Sequence, residues 1–148
     1  MAGAASTITY DRGQDHDGQH GNIRRINIAW TADDATGAVT ATTEKISGQL
    51  LKVITDPDAN APTNLYDIVI TDDEALDVLS GLGGTGGTAP SLANRATATT
   101  EVVHLWAEDS VTNPMPGTQP YVCSTLAVAV TNAGNSNQGQ IIIYYRHL

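Results

Sequence analysis

Phenylalanine is absent from this 148-residue chain, there is one cysteine, and seven lysines and arginines stand against sixteen aspartates and glutamates. Without Phe, a core must be built from Val, Ile, Leu and Ala, with Trp30, Trp106 and a few tyrosines as the only large rings. A lone Cys123 rules out an internal disulfide, so the fold is no disulfide scaffold. Lying just before a strand-like run, Cys123 reads as a small packed residue rather than a reactive thiol. A formal net charge of -9 leaves few cations to displace counterions from a phosphate backbone, which argues against direct nucleic-acid binding and against an anionic membrane surface. No run approaches the ~20 apolar residues of a membrane-spanning helix. The first residues lack the basic start and apolar stretch of a signal peptide. The expectation is a protein made in a cytoplasm and kept there until it assembles, its acidity helping solubility before assembly.

What is present is β-pattern. The length fits one domain, and abundant Thr, Val and Ile suit a pleated, half-buried surface. Residues 1–22 hold a short apolar piece, 6–10, followed by a hydrophilic tract that cannot pack a core. They are expected to form an extended N-terminal arm, with a β-sandwich domain over residues 23–148. In residues 23–31, Arg24, Ile26, Ile28 and Trp30 share one parity, the alternation of a half-buried strand. Asp33 to Gly37 reads as a turn and residues 38–43 as a second strand hairpinned to the first. Residues 46–55 form a third, with Gly48 marking a bulge or a close backbone approach. Tyr66, Ile68 and Ile70 define one face of a fourth. Asp72-Asp73-Glu74 makes an acidic turn, and residues 75–79 return as a short strand.

The glycine-rich stretch 80–88 and the proline-rich stretch 113–120 are expected loops. Between them, residues 97–107 alternate Val102, His104 and Trp106 against Val103 and Leu105. The chain closes on two strand-like runs, 126–131 and 140–146, flanking a loop whose Asn132, Gly134, Asn135 and Gly139 tolerate positive φ; this reads as a β-hairpin. About eight strands at regular spacing, with no sustained 3.6-residue period, predict an all-β, single-domain antiparallel β-sandwich, jelly-roll-like or of another sandwich topology, since strand order does not follow from the sequence.

The constellations that could carry chemistry are weak. His16 and His20, with Asp15 and Asp17, have ligand chemistry. Gly18, Gly21 and the missing apolar stripe speak against the helix that would align the two histidines. The segment therefore reads as a solvated arm, and no metal ligand is assigned. Asp72, Asp73, Glu74 and Asp77 read as a hairpin turn, and Asp56 and Asp58 frame Pro57 in another. The glycine run lacks the lysine and following helix of a phosphate-cradling loop. His104 has no nucleophile motif to serve, so it reads as a core or interface histidine. Trp30 and Trp106 read as core anchors rather than a sugar-stacking platform. Strict alternation sends Tyr144 and Tyr145 to opposite faces, leaving one exposed or in an interface, with Tyr121 as a further candidate. No catalytic, cofactor-binding or metal-binding residue is assigned, and the chain is expected not to be an enzyme.

Three stretches together carry a resemblance. They are Ile46-Ser-Gly-Gln-Leu-Leu-Lys-Val-Ile-Thr-Asp-Pro; Ala61-Pro-Thr-Asn-Leu-Tyr-Asp-Ile-Val-Ile-Thr-Asp-Asp with Asp77-Val-Leu-Ser-Gly-Leu-Gly; and Val130-Thr-Asn-Ala-Gly-Asn-Ser-Asn-Gln-Gly-Gln-Ile-Ile-Ile-Tyr-Tyr-Arg. In this order, over residues 22–146, the chain resembles small structural proteins of tailed bacteriophages, and within that class it looks most like a capsid cement, or decoration, protein. The resemblance implies a non-enzymatic virion component on the capsid exterior, a homotrimeric β-sandwich that bridges subunits of the major capsid protein and uses its N-terminal arm. A neck, tail or head-fibre component carrying a carbohydrate- or receptor-binding sandwich is the alternative it implies.

Overall fold

The computed structural model describes residues 3–12, 22–78, 92–95, 99–105, 108–110, 113–114 and 119–148. Among them are twelve strands and no helix. In chain order these are β1 (Ala5–Asp11), β2 (Ile23–Thr31), β3 (Val39–Thr42), β4 (Ile46–Pro57), β5 (Tyr66–Thr71), β6 (Leu92–Arg95), β7 (Glu101–His104), β8 (Glu108–Ser110), β9 (Asn113–Pro114), β10 (Tyr121–Ser124), β11 (Ala127–Thr131) and β12 (Gln138–His147). The first sheet runs β1-β2-β12-β4-β10, with β7 also paired to β4. The second runs β3-β11-β5-β6, and β8 and β9 form a small ribbon. Every pairing is antiparallel.

The two sheets face each other because each strand buries alternate residues. Ile26, Ile28 and Trp30 of β2 and Ile141 and Ile143 of β12 meet Val39 and Ala41 of β3, Ile68 and Ile70 of β5, and Val128 and Val130 of β11 in one hydrophobic core. This is the expected all-β sandwich. Trp30 serves as an anchor, 4% exposed, with its ring 6.0 Å from that of Tyr66 and tilted by 49°.

The pairing departs from the sequence reading in two places. The closing strands β11 and β12 do not form a hairpin. β11 lies between β3 and β5 in the second sheet, and β12 between β2 and β4 in the first. Likewise β2 and β3 belong to different sheets, so residues 32–38 also form an arch across the core. Both strands of each pair point their apolar rows inward, which an arch satisfies as well as a hairpin. The arches are fixed by bonding between loops. Ala32 N–H donates to the Asn137 carbonyl (2.8 Å), Ala133 N–H to Gly37 (3.0 Å), Thr63 N–H to Ala133 (2.7 Å) and Gln138 N–H to Asn60 (2.7 Å). Positive φ falls at Asn132, Gly134 and Ser136, not at Asn135 or Gly139. Gly139 instead gives room to the Trp30 indole, since a Cβ there would lie 2.6 Å from a ring carbon.

Gly48 is a close backbone approach. Its φ is +156°, and a Cβ would collide with the Arg146 carbonyl of β12. The bulge sits three residues further on. Tyr144 pairs with Lys52 and Tyr145 with Leu50, leaving Leu51 as the extra residue, so the buried parity of β4 switches from Ile46, Gly48 and Leu50 to Val53 and Thr55.

Smaller corrections follow from the same alternation. Of the expected strand 75–79, the described residues 75–78 make only a bridge, Asp77 to Thr71. Cys123 is not packed: Val122 and Ser124 take the inward positions of β10, which turns Cys123 outward as a free, exposed thiol. His104 is exposed, so it is no core residue. Asn113–Pro114, expected within a loop, pairs as β9.

Candidate functional site

The Asp33 and Asp72 turns are confirmed as structural uses of carboxylates, whereas Asp56 and Pro57, expected in a turn with Asp58, are the last residues of β4 and pair with Gln140 and Gly139 of β12. Asp72 Oδ1 accepts from Glu74 N–H (3.1 Å) and Leu76 N–H (2.8 Å), and Asp73 N–H donates to the buried Ser124 hydroxyl (2.9 Å). Asp58 Oδ1 accepts from Ala59 N–H (2.6 Å). Asp33 Oδ1 takes the Thr36 and Ala35 N–H groups at 2.9 and 3.0 Å and the Thr36 hydroxyl at 3.1 Å. Those donors, the Thr36 amide first, hold the Asp33 carboxyl below its ordinary range. Each of these groups organises its own turn. Among the described residues no group of three or more His, Cys, Asp or Glu could hold a metal ion, and no helix is long and apolar enough to cross a membrane. Residues 13–21, with the His16 and His20 segment, the glycine run 80–88 and Trp106 lie outside the described residues.

Two surfaces of the first sheet remain as candidates. The first is the edge strand β1. Residues 5–11, expected as part of an arm, pair with β2 from Ala5–Thr31 to Asp11–Arg25. Its other edge has no strand partner among the described residues. The inward row is thin: Ser6 is exposed, and Ile8 and Tyr10 are half-buried against the core. The Tyr10 hydroxyl accepts from Glu44 N–H at 2.6 Å, which ties the end of β1 to the β3–β4 connection. Such an edge is a template for a further strand.

The second surface is the outer face of this sheet. Register places residues in lateral rows that the sequence order scatters. Arg25, Tyr144, Lys52 and His104 lie side by side on β2, β12, β4 and β7. Parallel to them run Asn27, Ile142, Ile54 and Val102. Lys52 Nζ lies 4.6 Å from the Tyr144 ring centroid, a cation–π contact. Val102 is 49% exposed, and Tyr121, its hydroxyl 3.0 Å from that of Ser47, is 58% exposed. Tyr145 is buried, as alternation required of one tyrosine of the pair, while Tyr144 is half-buried on the outer face. Trp30 is the core anchor it was expected to be, with its ring inside and no face open for a sugar to stack on.

The charge layout was not legible in the sequence. The arch and loop segments 31–38, 57–65 and 131–138 at one end of the sandwich contain no lysine or arginine. Arg25, Lys52 and Arg146 stand on the outer face of the first sheet, and Arg12, Arg24 and Lys45 gather at its opposite end. The only hint along the chain is the Arg24-Arg25 pair opening β2; the rest needs the register. No protein-family model, no curated protein and no solved structure matches this chain.

Proposed function

We propose that the chain is a non-enzymatic structural protein of a tailed-phage virion, a homotrimeric cement protein that bridges subunits of the major capsid protein on the capsid exterior. The single observation that carries the reading is β1, a seven-residue strand that, among the described residues, pairs along one edge with β2 and along the other with no strand. A strand so placed can be shared with a neighbouring subunit by β-augmentation at little cost to the core, which is how a small domain clamps others together. The nested strand order also supports a jelly roll, since β2-β12-β4-β10 and β3-β11-β5-β6 alternate as two interleaved Greek keys, an architecture used by capsid and lectin domains. The resemblance over residues 22–146 supplies the virion context.

The test is deletion of residues 1–21, followed by co-sedimentation with assembled capsids. The truncated chain, which also loses β1, is expected to remain a folded β-protein by far-ultraviolet CD, with its strand signal reduced, and to lose capsid binding; undiminished binding sinks the clamp. Light scattering on a sizing column should give three times the mass of the chain. A strict monomer at high concentration speaks against the trimer and in favour of the head-fibre, receptor-binding alternative.

A further inference from the structure

At the end of the first sheet where β1 finishes and β2 begins, a recess of about 120 Å³ opens between the two strands, the β3–β4 connection and the end of β12. In a chain with seven lysines and arginines and a net charge of -9, three of those cations, Arg12, Arg24 and Lys45, line this one recess. A single carboxylate, Glu44, lies among them and is engaged by Arg12 at 2.8 Å. Lys45 makes no ion pair among the described residues, and the Nε–H of Arg24 is buried without an acceptor. His147 is oriented as well. Its Nδ1 lies 3.0 Å from the Ser47 carbonyl, which can only accept, so Nδ1 donates there, and Nε2 of the neutral ring is an acceptor; His147 therefore marks the rim of the recess without adding a donor to it.

A buried guanidinium donor without an acceptor is costly, and like charges gathered in one recess repel, unless an anion completes the arrangement. We propose that this recess is a binding site for a single phosphate-type oxyanion. The donors reach it from the end of β1, from β2 and from the β3–β4 connection, which suits a tetrahedral anion with oxygens in several directions; a planar carboxylate is served by one guanidinium fork. The acidity of the rest of the chain repels an extended polyanion, so the ligand is one phosphate group, free or carried on a small molecule, rather than a nucleic-acid backbone. Because Arg12 and Arg24 flank the connection from β1 to β2, occupancy also ties the edge strand to its sheet.

The full chain, ¹⁵N-labelled, is titrated with inorganic phosphate at ionic strength held constant by chloride, and in parallel with acetate and with phenyl phosphate. Saturable shifts are expected at Tyr10, Lys45 and His147 and at the Arg24 side-chain Nε. Arg24→Gln is expected to weaken phosphate at least tenfold. Lys45→Gln, at an exposed position, keeps the wild-type spectrum and weakens phosphate several-fold, which preserves the test if Arg24→Gln fails to fold. Phenyl phosphate binding more tightly than inorganic phosphate identifies a carried group, and equal or weaker binding identifies the free ion. Absence of saturable shifts, affinity unchanged in Lys45→Gln, or acetate binding as tightly as phosphate overturns the assignment.

Discussion

Replacing Gly48 by alanine tests the tightest backbone contact in the sandwich. Gly48 sits in β4 between Val122 of β10 and His147 of β12, with φ at +156°. An added Cβ would meet the Arg146 carbonyl oxygen, lie 2.9 Å from the Arg146 carbonyl carbon and 3.2 Å from the His147 Cα. All three are backbone atoms of β12, so no side chain can swing aside and the strand itself must move. Holding a non-glycine residue in this part of φ space costs about 1–3 kcal/mol. Overpacking an already dense contact adds about 1–3 kcal/mol more. A mid-range loss of about 4 kcal/mol is a large part of the roughly 5–15 kcal/mol that a domain has in total. At about 2–4 °C per kcal/mol for a chain near this size, the melting temperature of Gly48→Ala should fall by about 8–16 °C. Gly3→Ala is the control, since no atom lies within 4 Å of its Cβ position, and it should stay within about 0.5 kcal/mol of wild type. Thermal melts followed by CD decide the matter. A fall of less than about 2 °C for Gly48→Ala would refute the close approach of β4 to β12, and with it the register on which the outer-face rows depend.

The bulge at Leu51 makes a paired prediction. Leu50→Ala should cost about 2–5 kcal/mol in urea melts because Leu50 is 1% exposed, whereas Leu51→Ala should cost well under half as much. Equal losses would mean that the parity of β4 does not switch. Cys123 should react with a thiol reagent in the native state at the rate of an exposed cysteine; protection until unfolding would place it inside. Asp33→Ala should lower the melting temperature at neutral pH. Because the folded carboxyl titrates below its unfolded value, its contribution is present above about pH 3.9 and is lost as pH falls through the lower folded value. The gap between variant and wild type should therefore close in acid, and a gap constant down to pH 2 would deny the carboxylate its role in the turn.

The sequence by itself determined the inward rows of the core strands and the two aspartate turns. Alternation of Ile26, Ile28 and Trp30, and of Tyr66, Ile68 and Ile70, is a local property, and one inward row per strand follows directly from the pleat. The Asp33 and Asp72 turns were equally legible, because an aspartate that bonds its own next amides needs no distant partner. Tertiary structure alone decided which strands pair. The runs 127–131 and 138–147 look like a hairpin because hairpin and arch both turn two apolar rows inward. The choice fell to backbone bonds between loops about a hundred residues apart, such as Ala32 to Asn137, which no local pattern encodes. The same holds for the candidate surfaces. Arg25, Tyr144, Lys52 and His104 become neighbours only through the register of four strands, and Arg12, Arg24 and Lys45 only where three chain segments end together. Side-chain periodicity fixes the face a residue takes, but proximity between strands is set by the hydrogen-bond ladder, and that ladder exists only in the folded sheet.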